Sequence, residues 1–273
     1  MLKTNFKKSK IYKKFYCLYD SWEWRKIRLS ENRRRKAVIQ TYSKDEFYLN
    51  IGAGRFIKKD WRILDYAEYK SSTIFPKKLI DFNINLTDFD TFPIQKESVD
   101  LIYSSHCFEH IGISAVEKVL KECYRILKPG GILRISVPDA ELAYNKYKAK
   151  DVEFFKSLNN QRDKSSIESM FLDFFSPLDI SAIEIMKFNE DFKRLNMEDF
   201  FYKYIPPLID SSKHDFSRHI CWFSYKRLHS LGVTTGFKKV LKSNQLNSNH
   251  SEMRSSEFDN TQPFSSLFIE MFK

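Results

Sequence analysis

The residue types best suited to chemistry gather in three stretches. The first is Asn50-Ile51-Gly52-Ala53-Gly54, at the end of the apolar run Phe47–Ile51. Glycines directly after a buried strand let the backbone approach a ligand and turn N–H groups toward it. Asp65 closes the next apolar run, Trp61–Leu64, where a carboxylate can accept hydrogen bonds from both ribose hydroxyls of a nucleoside ligand. A dinucleotide fingerprint would need a third glycine near position 57, which is Ile57, and an acid about 20 residues on. Asp65 lies thirteen residues beyond Gly52, leaving too few for an ordinary crossover helix. This argues against NAD and for a ligand without a pyrophosphate. The second stretch, Ser104-Ser105-His106, follows the run Val99–Tyr103 and leads into Glu109-His110; the third is Asp139, after Ile132–Val137. His106, His110, Asp139, His214 and His219 are the candidate proton acceptors. His106 and Asp139 are preferred because both follow core strands on the ligand side. Glu109 also reads as a helix start favoured by the dipole, and Asp139 as a helix cap. Cys17, Cys107, Cys123 and Cys221 are scattered without a CxxC pair, so neither a disulfide framework nor a metal site is expected.

The elements that must hold these residues read as strand, connection, strand, repeated. Apolar runs at Phe47–Ile51, Trp61–Leu64, Leu79–Phe82, Val99–Tyr103 and Ile132–Val137 have the length and apolar continuity of buried parallel strands. Val116, Val119, Leu120, Cys123, Ile126 and Leu127 fall at helical spacing over 114–127, and Pro129-Gly130-Gly131 reads as the helix stop. The pattern predicts a mostly parallel sheet with its ligand at the carboxyl ends of the strands. Residues 140–215 are aromatic, charged and free of glycine and read as a helical insertion over the acceptor site. A helix is expected over Ser224–Leu231, ending at Gly232, with last strands at Phe237–Leu241 and Ser266–Phe272 around a polar loop, 243–264. The 273 residues carry a net charge of +11, and residues 1–45 hold fourteen Lys/Arg against four Asp/Glu, interleaved with aromatics such as Phe15, Tyr16 and Trp22. This segment reads as an amphipathic helical cap or as a surface for a polyanion or anionic membrane. No apolar run of transmembrane length and no secretory signal is read.

Two longer motifs join these pieces. One runs from Phe92-Pro93-Ile94 through Ser98-Val99-Asp100-Leu101-Ile102-Tyr103-Ser104-Ser105-His106 to Glu109-His110; the other runs from Glu122-Cys123-Tyr124-Arg125-Ile126-Leu127-Lys128-Pro129-Gly130-Gly131 to Val137-Pro138-Asp139. In order and spacing, residues 47 to about 147 resemble the class I S-adenosylmethionine-dependent methyltransferases of type 11 kind. The C-terminal pieces Cys221–Leu228, Gly236-Phe237, Phe258-Asp259-Asn260 and Ser266–Glu270 look like a branch found in bacterial surface-polysaccharide clusters. The resemblance implies a Rossmann-like, seven-stranded, mostly parallel α/β sheet with helices on both faces, occupying residues 46–273. It implies S-adenosyl-L-methionine as cofactor, with Asn50, Gly52 and Gly54 at its methionine part and Asp65 on its ribose. The adenine side falls in Asp81–Asp88, with Asn85 chosen, and Ser104, Ser105 and His106 line the cofactor. At Asn50 the chain departs from the many members with an acid, which weakens the pull on the cofactor's amino group and keeps hydrogen bonding. The implied activity is O- or N-methylation of a sugar, glycan or related biosynthetic intermediate, with His106 or Asp139 as base. Alternatives are a small-molecule or lipid-linked acceptor, a non-catalytic interaction module, or a nucleic-acid methyltransferase. The last is disfavoured because no Asn-Pro-Pro-Tyr-type motif is present and the charge sits at one terminus. The expected location is cytoplasmic, with residues 1–45 touching the inner face of the membrane.

Overall fold

A computed structural model describes residues 46–54, 56–67, 80–158, 166–176, 183–205 and 218–273. The basic segment 1–45 and His214 lie outside the described residues. Seven strands form one Rossmann-like sheet: β1 (Tyr48–Ile51), β2 (Trp61–Asp65), β3 (Phe82–Asn83), β4 (Val99–Ser105), β5 (Leu127–Pro138), β6 (Lys239–Ser243) and β7 (Ser266–Phe272), in the order β3-β2-β1-β4-β5-β7-β6. The pairs from β3 to β5 are parallel, and β7 runs antiparallel to both β5 and β6. β1 is buried at every position, which explains its unbroken apolar run: a central parallel strand is covered on both faces.

Helices α1 (Ile113–Ile126) and α7 (Tyr225–Thr235) cover one face. Val116, Val119, Leu120, Cys123 and Ile126 of α1 enter a core with Leu49, Ile102, Leu133 and Ile269 of the sheet. On the opposite face, Tyr48, Trp61, Tyr103 and Ile132 pack against Met253 and Phe258 of the loop between β6 and β7. Between β5 and α7 lie α2 (Ala140–Lys148), α3 (Val152–Leu158), α4 (Ile167–Asp173), α5 (Ile185–Arg194) and α6 (Met197–Tyr204). Their aromatics, among them Tyr147, Phe155, Phe171, Phe188 and Phe200, form a second core with Trp222.

The sixth strand is Lys239–Ser243, two residues beyond the expected Phe237–Leu241, and three further boundaries differ from the sequence expectation. The third strand is Phe82–Asn83, at the far end of the predicted run, where only two residues pair with β2. The helix before Pro129 stops at Ile126, because Leu127 is already extended and pairs with Val99. Lys128–Gly131 therefore belongs to β5, fastened by Gly130 N–H donating to Lys273 at 3.1 Å. Finally, α7 runs through Gly232 to a left-handed cap at Gly236. Gly232 is a contact point: a Cβ there would lie 2.8 Å from Val240 Cγ2 and 3.0 Å from Met271 Sδ. The glycine lets the helix sit directly on β6 and β7.

Two interactions fix the strand ends. Arg134 of β5, fully buried, pairs with Asp259 at 2.6 Å and Glu270 at 3.1 Å, both also fully buried. The remaining carboxylate valences are met by Leu246 N–H on Asp259 and by Ser248 and Asn249 on Glu270. This network ties the β6–β7 loop to the sheet. The second is the approach of Gly52 to Cys107, where an added Cβ would stand 2.3 Å from Sγ and 2.7 Å from Cβ, at φ +66°. The turn after β1 can touch the turn after β4 only without a side chain there.

Removing the cation from a buried triad leaves uncompensated charge, which is strongly destabilising. Arg134→Met strands two carboxylates and should lower stability by about 3–5 kcal/mol, whereas Asp259→Ala preserves the Arg134–Glu270 pair and should cost less; urea midpoints check the order. Gly54, at φ +52°, has no atom within 4 Å of an added Cβ. Gly54→Ala should therefore incur only left-handed strain, about 1–2 kcal/mol, and Gly52→Ala, with the clash added, should melt lower by calorimetry.

Candidate active site

The carboxyl ends of β1, β2, β4 and β5 meet along one edge of the parallel sheet. The connection from Gly52 to Asp60 holds no helix among its described residues, as the short spacing required. Gly52 N–H donates to Leu64 O at 2.9 Å, locking the turn onto β2. Asp65 accepts from Gly54 N–H at 3.2 Å and Tyr66 N–H at 2.7 Å, so its carboxylate is oriented by the glycine turn. Burial raises its pKa, opposed by the backbone N–H groups of Tyr66, Gly54 and Ala53. Beside it, Asn83 Oδ1 accepts Ala67 N–H at 2.8 Å. Asn85 turns its Oδ1 to Thr87 N–H at 3.0 Å and Thr87 Oγ1 at 2.8 Å, a local turn motif.

Strand pairing puts Asn50, Tyr103 and Arg134 on one sheet face, with Ser105 and Ser136 paired one step further along. Asn50 is 1% exposed, and neither its Oδ1 nor its Nδ2 has a hydrogen-bond partner; the same holds for Ser105 Oγ and Ser136 Oγ. Buried polar atoms are normally paired, so three unmet side chains near one set of strand ends mark a place for a polar ligand. Ser104 differs: its Oγ donates to Ile51 O at 3.0 Å, joining β4 to β1.

The turn after β4 carries the site's charge. His106 stands in the left-handed region at φ +49°, its N–H donating to Ser136 O at 2.8 Å. Glu109 lies in a 3-10 turn, Phe108–His110, rather than at the start of α1, and is 1% exposed. Its carbonyl accepts Ile220 N–H at 2.8 Å and Cys221 N–H at 3.1 Å, which draws the 218–222 segment alongside. Three imidazoles then face its carboxylate: His106 Nδ1 at 3.1 Å, His110 Nε2 at 3.9 Å and His219 Nε2 at 3.9 Å from Oε1. Burial pushes Glu109 up, but His106, His110 and His219 outweigh it and hold the carboxyl down, at about 2. Burial brings His219 down to about 4, against the pull of Glu109. Burial also pushes the Cys107 thiol well above its ordinary range, with Asp65 and Glu109 adding to the effect.

The structure thus brings His106, His110 and His219 together around Glu109. Asp139 caps α2, its Oδ1 accepting Glu141 N–H at 3.0 Å and Leu142 N–H at 3.1 Å, while Oδ2 faces Lys242 at 3.9 Å. Glu109 is the residue that sequence reasoning gave only a helix-end role. The signal for it was His106-x-x-Glu109-His110, incomplete without His219.

Residues 64–135 match the family described as Methyltransferase domain. No curated protein matches the chain. Among solved structures, a SAM-dependent methyltransferase described as a possible histamine N-methyltransferase from Thermotoga maritima is 18% identical, with a TM-score of 0.41 over 96% of this chain and 98% of that one. A SAM-dependent methyltransferase from Archaeoglobus fulgidus is 15% identical, with a TM-score of 0.40 over 95% and 100%. One from Aquifex aeolicus is 11% identical, with a TM-score of 0.38 over 87% and 88%. The matched stretch runs from the end of β2 through β4 and α1 into β5 and contains Asp65, Asn85, Ser104, Ser105, His106 and Glu109. Over residues 64–135 the chain carries a methyltransferase domain, that of an enzyme whose cofactor is S-adenosylmethionine.

Proposed function

We propose that this enzyme methylates an oxygen or nitrogen of a sugar, glycan or related biosynthetic intermediate, with the cofactor seated on the strand ends of β1, β2 and β4. The observation that carries the seat is the unpartnered, buried Asn50 amide beside a glycine turn already fastened to Asp65. The residues fit the cofactor's chemistry. Asn50, with donor and acceptor both unspent, suits the methionine part; Gly52 and Gly54 give it backbone access; Asp65 suits the ribose hydroxyls; Asn85 is kept for the adenine side; Ser105, with Ser104 and His106, lines the wall. Bound S-adenosylmethionine supplies a sulfonium methyl, whose transfer breaks the carbon–sulfur bond, forms the carbon–acceptor bond and leaves S-adenosylhomocysteine.

What remains for the protein is to align the acceptor and take its proton. Asp139 is committed to the α2 N-terminus, so the proton is assigned to the group formed by His106, Glu109, His110 and His219. His106 Nε2 contacts Ser266 Oγ at 2.8 Å and its Nδ1 faces Glu109, which makes it the inner member of the group. The helices α2–α6 stand between β5 and α7, where they can cover the acceptor. The sugar or glycan assignment is supported by the C-terminal pieces around Trp222 and Phe258 that resemble the polysaccharide branch. The basic segment 1–45 suits an anionic membrane surface at which such intermediates are built. No helix among the described residues is long and apolar enough to cross a membrane.

Calorimetry tests the seat. S-adenosylmethionine should bind the wild type, and Asp65→Ala should weaken it about 10- to 100-fold, as expected for loss of charged hydrogen bonds; absence of binding to the wild type would overturn the reading. Incubation with methyl-labelled cofactor should place label on a nucleotide-activated sugar or oligosaccharide and not on a nucleic acid.

A further inference from the structure

The hydrogen bonds around Glu109 assign the tautomers of His110 and His219. His110 Nδ1 lies 3.2 Å from Arg218 O, and His219 Nδ1 lies 2.6 Å from Phe174 O. A carbonyl only accepts, so both Nδ1 atoms carry the hydrogen and both Nε2 atoms present a lone pair. His106 differs: its Nε2 contacts Ser266 Oγ, and its Nδ1 stands 3.1 Å from Glu109 Oε1, where it can donate to the carboxylate. The rings of His110 and His219 are held from outside, with Nε2 turned toward the same buried carboxylate. In their neutral forms these nitrogens meet Glu109 lone pair to lone pair. His106 Nδ1 is the nearest imidazole nitrogen to Glu109 Oε1, at 3.1 Å, and a buried carboxylate facing two further lone pairs is costly without a cation.

We propose that Glu109, His110 and His219 form a binding site for a divalent transition-metal ion, set in the turn after β4. Their ligand atoms lie within 4.8 Å of one another. In a tetrahedral site with ~2.0–2.2 Å bonds the ligand atoms stand about 3.4 Å apart, so the three must close in by roughly half to one and a half ångström. Two imidazoles and a carboxylate suit zinc, iron or manganese and disfavour calcium and magnesium, which prefer oxygen. The carbonyl partners of both Nδ1 atoms are the outer hydrogen bonds that orient metal-ligating histidines. His106 holds Glu109 through the same Oε1, as a positioning residue. This centre is incomplete in the sequence, because only two of its ligands are neighbours and the third arrives from the 218–222 segment. Three protein ligands leave a coordination position open, and His110 and His219 are each about one-fifth exposed, so a ligand can reach it. The site deepens the proposed methyl transfer: an acceptor hydroxyl bound there would lose its proton more readily and attack the methyl carbon as oxygen. That consequence rests on the methyltransferase reading; the metal site itself does not.

The test uses the full chain, stripped with a chelator and titrated with Co2+ and then Zn2+, without cofactor or acceptor. One Co2+ per chain should bind, with visible absorption bands that Zn2+ displaces. His219→Asn and Glu109→Gln should weaken Zn2+ binding at least tenfold. His106→Asn should weaken it less. Metal should raise the melting temperature of the wild type and not that of His219→Asn; S-adenosylmethionine binding by His219→Asn and Glu109→Gln, and the circular dichroism spectrum of His106→Asn, serve as the checks on folding. Absence of stoichiometric Co2+ binding by a chain that binds S-adenosylmethionine would overturn the metal site and leave the methyltransferase reading intact. Equal Zn2+ affinity in wild type and folded His219→Asn would overturn it as well. Metal binding without cofactor binding would uphold the site and fault the placement of the cofactor.

Discussion

The closeness of Gly52 to Cys107 is the constraint from which the active site follows. Two turns at the ends of neighbouring strands, one after β1 and one after β4, touch where a single Cβ would collide with a thiol. That contact puts the glycine turn, proposed above to hold the cofactor, against the turn that carries His106 and Glu109. It also fixes Gly52 N–H on Leu64 O, which in turn sets Asp65 beside Gly54. Each turn alone is an ordinary strand end; touching, they make the proposed nucleoside seat beside a cluster of titratable groups.

The remainder of the fold serves to hold those ends still. Arg134 and its two carboxylates fasten the β6–β7 loop across one sheet face. Gly232 lets α7 press onto β6 and β7 on the other. The aromatic cluster of α2–α6 is separate from the sheet core and joins it through Trp222 and the capped start of α2. Glu109 then links the two units, because its carbonyl receives the N–H groups of Ile220 and Cys221 and its carboxylate receives His219 from the same segment.

What the sequence discloses follows from how local each cause is. β1, β4, α1 and α2 were legible because apolar runs, helical spacing and the Asp139 cap are properties of a few adjacent residues. The end of α7 was not, since Gly232 looks like a helix stop until β6 and β7 are seen against it. The short β3 was misplaced by three residues because only its pairing with β2 defines it. In the site, the glycine turn and Asp65 could be read from spacing. The unmet hydrogen bonds of Asn50, Ser105 and Ser136 could not, as they depend on which strands lie side by side. Nor could the company of Glu109, since His110 and Arg218 are 108 positions apart and meet only in the fold.

The central claim is that the strand ends of β1 and β2 hold S-adenosylmethionine while the turn after β4 faces the acceptor. A crystal structure with S-adenosylhomocysteine bound tests it directly. The account predicts the ribose on Asp65, the amino-acid part within hydrogen-bond reach of Asn50, and the sulfur turned toward the side of the site holding His106 and Glu109. Product bound elsewhere, or with Asn50 still unpartnered, would contradict it.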